Sequence, residues 1–97
     1  MTLYIWTGTW TAKGMEKLQA LPQRYENAQN VFKSVGAELK ELYITLGKND
    51  WVGIVEAPNE EAMAKALLDI ARTGMSRSHT MTAIPIAKAL DIIKQLP

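Results

Sequence analysis

The chain has 97 residues, of which 47% are hydrophobic and 22% are charged, and its formal net charge is +1. These values are ordinary for one folded domain spanning residues 1–97, and the eleven basic residues are too scattered along the chain to indicate a nucleic-acid partner. The absence of cysteine excludes disulfides and thiolate chemistry. The chain has no apolar run near the roughly 18 residues of a membrane span and no signal-peptide pattern. We therefore expect a cytoplasmic protein without a membrane partner.

The first half of the chain predicts a strand followed by a broken helix. Residues 3–10 are rich in aromatic and β-branched side chains, which is typical of a strand. From Thr11 to Val35 the apolar residues recur at intervals of three and four, which is helical spacing. Pro22 interrupts this pattern and predicts a short helix followed by a second one. Gly36 then suits the left-handed residue that ends a helix.

A hairpin and a second helix are predicted next. Residues 37–47 and 51–57 are strand-like, and the segment between them, 47–50, is dense in turn-forming residues. Asn59, followed by two glutamates, is typical of a helix N-cap. The apolar face of that helix continues until Gly74, where we expect the helix to have ended.

The last part of the chain completes a regular α+β pattern. Residues 76–84 predict a fourth strand, and Pro85 opens a final helix within a C-terminal extension, 84–97. Two strand–helix–strand halves with right-handed crossovers predict a ferredoxin-like βαββαβ fold. Its four-stranded antiparallel sheet should have the spatial order 4-1-3-2. The first and third strands are the most apolar, as central strands should be.

Both central strands are apolar on both of their faces. Leu3 and Ile5 alternate with Tyr4 and Trp6 along the first strand, and the third strand, residues 51–57, repeats the pattern. The helices of this fold cover only one face of the sheet. Since a sheet that is apolar on both sides must bury both sides, we expect a homodimer, or a larger assembly of dimers, in which two sheets pack together.

Three stretches of the sequence carry a resemblance to a known family: residues 43–47 (YITLG), 50–58 (DWVGIVEAP) and 77–82 (RSHTMT). The chain resembles the GYD-domain proteins over nearly its whole length. The motif that names the family is glycine, a variable residue, tyrosine and aspartate; here Gly47 and Asp50 are present and Asn49 replaces the tyrosine. The resemblance implies a dimeric α/β barrel. It implies no single reaction, because the wider superfamily includes monooxygenases, isomerases, haem enzymes and ligand-sensing modules.

His79 and Asp50 are the candidates for acid–base chemistry. His79 is the only side chain whose ordinary pKa lies near neutrality, so it is the natural general base. A lone histidine on a strand is more often structural. Asp50 could orient an imidazole or bind a substrate, but an aspartate at this position more often accepts hydrogen bonds from backbone amides of its own turn.

Trp6, Tyr43 and Trp51 are candidates for lining an apolar cavity that holds a flat ligand; the alternative is that they serve core or dimer packing. If the turn is formed by residues 47–50, then Leu46 pairs with Trp51 and the indole lies under the helices rather than in a sheet-to-sheet cavity. A β-bulge would reverse that orientation, so the sequence leaves both orientations open.

Arg77 and the hydroxyls near it could hold a carboxylate or phosphate, although polar residues on an edge strand are usually only solvated. The chain contains neither a nucleophile elbow nor a glycine-rich phosphate loop. A single histidine cannot form a multi-histidine metal site within one subunit. We therefore expect no metal and no cofactor, with a haem held by His79 as a weak alternative.

Three functions remain open. The favoured one is a dimeric binding module that holds a small apolar or aromatic metabolite in each sheet-to-sheet cavity. The second is a cofactor-free monooxygenase or isomerase, in which His79 removes a proton, Trp6 and Tyr43 flank the substrate ring, and Arg77 or Asn49 stabilises the oxyanion. The third is a structural interaction protein without a ligand. The position of His79, inside a cavity or beneath the helices, separates these alternatives.

Overall fold

Four antiparallel strands form one sheet in the order β2-β3-β1-β4 in a computed structural model that describes residues 1–97. The strands are β1 (Thr2–Trp10), β2 (Glu38–Ile44), β3 (Trp51–Ala57) and β4 (Ser76–Ala83). The helices are α1 (Ala12–Glu16), α2 (Leu21–Ser34), α3 (Glu60–Ala71) and α4 (Ile86–Lys94), with a 3₁₀ turn (Leu18–Ala20) between α1 and α2. The predicted ferredoxin-like order, with β1 and β3 in the centre, is confirmed. None of the helices is long and apolar enough to cross a membrane.

The helix ends follow the local signals in the sequence. Asn59 caps α3 by accepting a hydrogen bond from the backbone N–H of Ala62 at 2.8 Å. Gly36 and Gly74, which follow α2 and α3, have φ values of +77° and +73°, where a side chain would be strained. Pro22 lies in the first turn of α2, where its missing N–H costs no hydrogen bond.

The loop between β2 and β3 is longer than the predicted turn. β2 ends at Ile44, and the backbone N–H of Thr45 donates to the carbonyl of Asp50 at 2.9 Å. As a result Trp51 pairs with Ile44 rather than with Leu46. The pairing is displaced by two residues, and a displacement of two leaves each side chain on the same face of the sheet.

A β-bulge at Lys40 brings two leucines of β2 to the same face. Leu39 pairs with Val55 and Leu42 pairs with Gly53, although a spacing of three residues would place them on opposite faces of a regular strand. The register shift between Leu39 and Glu41 absorbs the extra residue. Both leucines therefore pack against the core. Their burial compensates for the disrupted backbone hydrogen bonding at the bulge.

The core lies between the sheet and helices α2 and α3. Its centre is Phe32 of α2, which is fully buried and meets Trp6 edge to face with ring centroids 5.2 Å apart. Trp6 also meets Trp51 at 5.4 Å. The buried core residues are Tyr4, Trp6, Ala28, Phe32, Ala37, Trp51, Val55, Ala57, Met63 and Ala66.

The other face of the sheet, here called the open face, is covered by no helix of the same chain. Its centre consists of Leu3, Ile5, Val52 and Ile54, which are half-buried by their neighbours in the sheet, together with Met81, which is 55% exposed. Helix α4 extends away from the rest of the chain, and eight of its nine residues are exposed. The two-layer structure therefore leaves two apolar surfaces without a partner.

We expect Gly8→Ala to destabilise the fold strongly, because a Cβ at this position would clash with Cζ2 of Trp51 and with the backbone oxygen of Arg77. One of these contacts is to backbone, which cannot move without disturbing β4. Overpacking of this kind costs about 1–3 kcal/mol. Urea unfolding followed by tryptophan fluorescence measures the loss, and an unchanged midpoint would contradict the packing described.

Candidate functional site

The residues proposed for function from the sequence lie on two different faces of the sheet. Trp6 and Trp51 are buried on the helix side, whereas Tyr43, His79 and Arg77 project from the open face, where each is exposed. The strand register explains the separation. Trp6 is opposite Gly53, while Tyr43 is opposite the neighbouring residue, Val52, and adjacent positions of a strand point to opposite faces.

This separation corrects the arrangement expected for a catalytic site. Trp6 and Tyr43 cannot flank one substrate ring within a subunit, because the sheet lies between them. Trp51 lies beneath the helices beside Ile44 and not between two sheets, which is one of the two orientations that the sequence left open. The bulge at Lys40 does not change this orientation, because the pairing from Glu41 to Ile44 is regular.

His79 lies on the open face in one row with three other residues. The row runs across the sheet from His79 on β4 through Thr7 and Val52 to Tyr43 on β2. His79 is exposed, and its backbone oxygen accepts a hydrogen bond from the Thr7 hydroxyl at 3.0 Å. Three strand spacings separate His79 from Tyr43, which is roughly 14 Å. The imidazole therefore lies on the face of the sheet opposite the helices. The aromatic ring of Tyr43 is too far from the imidazole for one small ligand to contact both.

The Asp50 carboxylate binds backbone. Its Oδ2 accepts a hydrogen bond from the backbone N–H of Trp10 at 2.9 Å, and its own N–H donates to the carbonyl of Gly8 at 2.7 Å. Asp50 therefore ties the β2–β3 loop to the end of β1, rather than closing only its own turn. In the same loop the backbone oxygen of Asn49 accepts a hydrogen bond from the Thr45 hydroxyl at 2.7 Å.

Tyr43 and Glu41 interact on the open face of β2. The phenol of Tyr43 donates a hydrogen bond to Oε2 of Glu41. This hydrogen bond raises the pKa of Tyr43 above its ordinary value, with smaller contributions from the negative charge of Glu41 and from desolvation. The Tyr43 hydroxyl, at the edge of the apolar face, therefore loses its proton less readily than that of an isolated tyrosine.

We expect Glu41→Gln to lower the pKa of Tyr43 towards the ordinary value, because the charged acceptor is removed. Since the folded-state pKa is raised, the stabilisation from this pair is fully present below the pKa of an unfolded tyrosine and is lost as the pH rises through the folded-state value. A tyrosinate absorbance titration, with Tyr43→Phe to assign the signal, measures the shift. An unchanged titration in Glu41→Gln would contradict the interaction.

A large cavity lies on the helix side of the sheet, between α2, the end of α3 and the strands. Its volume is about 630 Å³, and ten of its fifteen lining residues are hydrophobic. All three tryptophans of the chain, Trp6, Trp10 and Trp51, line it, and Arg24 is its only charged residue. The volume lies in the usual range for a small-molecule site.

Trp10 and Arg24 line this cavity, and neither was predicted from the sequence as a functional residue. Trp10 could have been found, because it continues the alternation of Tyr4, Trp6 and Gly8 on the helix side of β1. Arg24 gave no signal, because only the packing of α2 on the sheet places it beside the tryptophans.

The two-layer structure defines a ferredoxin-like α+β protein with one uncovered sheet face, and comparison with known families places it more closely. The chain belongs to the GYD-domain family, whose model matches residues 4–93. This confirms the resemblance found in the sequence.

One relative with a described binding activity is similar over the whole chain. It is the glutamine synthetase and cystathionine beta-lyase binding protein of Thermus thermophilus, which is 33% identical over 97 residues, covering 99% of each chain.

Solved structures with low sequence identity share the fold. The crystal structure of MtbAldR has a TM-score of 0.67 at 10% identity over 87% of this chain, and this chain spans about half (52%) of the MtbAldR chain. The crystal structure of FFRP-DM1 has a TM-score of 0.61 at 16% identity, covering 87% of this chain and 100% of that one. The de novo designed protein Ferredog-Diesel has a TM-score of 0.51 at 18% identity, covering 84% of each chain. These similarities support the fold only.

Proposed function

We propose that this chain is a homodimeric binding module that docks onto metabolic enzymes. The observation that carries the proposal is the pair of unpartnered apolar surfaces, the open face and helix α4, in a chain whose relative binds other proteins. The residues considered for catalysis do not converge within one subunit. Binding therefore accounts for more of the structure than turnover does.

A second copy of the chain is the best-fitting cover for the open face. The face is apolar at its centre, where Ile5, Ile54 and Met81 lie in one row, and polar at its two edges. Such a surface resembles half of a sheet-to-sheet core. The face is also available in every copy, so two open faces can pack about a twofold axis.

Helix α4 also needs a covering surface. Ile86, Leu90 and Ile93 occur at intervals of four and three residues and are 73%, 49% and 56% exposed. They form one apolar stripe. A helix of nine residues is marginal in water by itself, so the stripe supports packing against the second copy beside the open face.

The enzyme-docking part of the proposal is supported by the Thermus thermophilus relative, because similarity extends over 99% of both chains at 33% identity. We propose that the dimer presents its outer surface to an enzyme of the same kind, a glutamine synthetase or a cystathionine β-lyase. An oligomeric enzyme would be bound by both copies of the dimer, which raises the apparent affinity.

The docking proposal is tested by biolayer interferometry with the immobilised full chain and the purified glutamine synthetase and cystathionine β-lyase of its own host. Saturable binding of at least one of them, absent for an unrelated oligomeric enzyme of similar charge, is the expected result. If a verified homodimer binds neither enzyme, the docking proposal is wrong while the homodimer stands.

A cofactor-free monooxygenase or isomerase with His79 as general base is the alternative function. One observation favours it: His79 lies on the open face, where a second copy would enclose it. This alternative predicts turnover of an activated aromatic or enol-type substrate that His79→Ala abolishes without changing the oligomeric state. Turnover that survives in His79→Ala would eliminate it.

A further inference from the structure

We propose that the helix-side cavity, lined by Trp6, Trp10, Trp51 and Arg24, binds a flat aromatic carboxylate that carries no amino group. The site is distinct from the open face and belongs to each subunit separately. The sequence predicted a small-molecule site between two sheets, whereas this cavity lies between the sheet and its own helices. The proposal does not depend on enzyme docking.

The apolar part of the ligand follows from the walls. The three indoles form a connected group, with Trp51 5.4 Å from Trp6 and 6.0 Å from Trp10 between ring centroids. The Trp10 and Trp51 rings are inclined to each other by only 35°. Aromatic rings pack against such surfaces by offset stacking or edge-to-face contact, so the walls favour a flat ring.

The polar part of the ligand follows from the unpaired atoms. Three lining residues have a buried side-chain polar atom without a hydrogen-bond partner: Nε1 of Trp6, Nε1 of Trp51 and Nη2 of Arg24. All three atoms are donors. Because buried donors without acceptors cost free energy, a ligand that brings acceptor oxygens is favoured over one that brings donors.

Arg24 determines the charge of the ligand. Its Nη1 donates to the backbone oxygens of Gly14 at 3.1 Å and Lys17 at 3.0 Å, which fixes the guanidinium at the cavity. No acidic side chain lines the cavity or forms an ion pair with Arg24. Its Nη2 has no partner and is therefore available to donate to a bound carboxylate, which is the strongest acceptor for arginine.

The same charge distribution disfavours an amino acid. The ammonium group of a free amino acid would enter a cavity that holds one cation and no carboxylate, and a charge buried without a partner is costly. The lining therefore favours an aromatic acid over the corresponding aromatic amino acid. This distinction makes the proposal testable with three commercial compounds of similar size.

The test is an NMR titration of the ¹⁵N-labelled full chain, read from the three tryptophan indole N–H signals, all of which report on the cavity. The probes are trans-cinnamate, its neutral amide cinnamamide, and L-phenylalanine. We expect cinnamate to shift the signals of Trp6 and Trp51 saturably, with cinnamamide and L-phenylalanine at least about tenfold weaker, as expected for loss of a charge-assisted hydrogen bond.

Variants separate the role of Arg24 from a general loss of charge. Arg24→Gln should weaken cinnamate binding by about tenfold or more and leave cinnamamide unchanged. Arg72→Gln is the matched control, because it removes the same charge from an exposed side chain of the α3 end, outside the cavity. If Arg24→Gln disturbs the fold, the comparison of cinnamate with cinnamamide on the wild-type chain still shows whether binding requires the carboxylate. Equal affinities of these two probes, or no saturable shift with cinnamate, would overturn the proposal.

Discussion

Met81→Glu is expected to convert the proposed homodimer into a monomer. Met81 projects from β4 on the open face, 55% exposed and paired with Ile5. In the dimer the new carboxylate would be buried in the apolar centre of the contact. Twofold symmetry places the substitution in the interface twice. At roughly 2–3 kcal/mol per copy, the dissociation constant of the dimer should rise by a factor of about 10³–10⁴.

Sedimentation equilibrium at micromolar concentration measures this change. Leu68→Glu is the matched control, since Leu68 is 70% exposed on α3, in the helix layer away from the open face. It should leave the mass unchanged. If both variants sediment like the wild-type chain while retaining their circular dichroism spectra, the open face is not the dimer interface.

Phe32→Ala should have the largest effect on stability. Phe32 has no exposed surface, and its ring contacts Trp6 in an edge-to-face arrangement. Removing a buried aromatic ring costs about 3–5 kcal/mol. This is a large fraction of the roughly 5–15 kcal/mol by which small domains are stable, so the variant should be partly or wholly unfolded at 37 °C.

Urea unfolding at fixed protein concentration measures the loss, because unfolding of a dimer depends on concentration. Phe32→Leu is the control, since it keeps most of the apolar volume and should cost about 1–1.5 kcal/mol. If Phe32→Ala costs no more than this conservative change, roughly 1.5 kcal/mol, the centre of the core lies elsewhere.

The fold could be predicted from the sequence because its signals are local. The apolar composition of β1 and β3 placed both strands in the centre of the sheet, and Asn59, Gly36 and Gly74 marked the ends of helices. The side of Trp51 stayed open in the sequence, because a turn-based register and a β-bulge gave opposite orientations. The predicted pairing of Leu46 with Trp51 was wrong by two residues. This error did not change the face assigned to any side chain, because side-chain direction in a strand repeats every two residues.

The site could be predicted only in part because it depends on contacts between distant residues. The separation of Trp6 from Tyr43 follows from two strand pairings, which place Gly53 opposite Trp6 and Val52 opposite Tyr43. Arg24 meets the tryptophans only through the packing of α2 on the sheet. Asp50 binds the backbone of Trp10, forty residues away in the sequence. None of these contacts has a local signature.

Native mass spectrometry of the wild-type chain at low micromolar concentration tests the proposal that a second copy covers the open face. We predict an assembly of two chains of 10.8 kDa each, or of a larger even number of chains. The assembly should dissociate on denaturation. A species of 10.8 kDa alone, under gentle conditions and with native circular dichroism, would contradict the claim, because the apolar open face and helix α4 would then both remain in water.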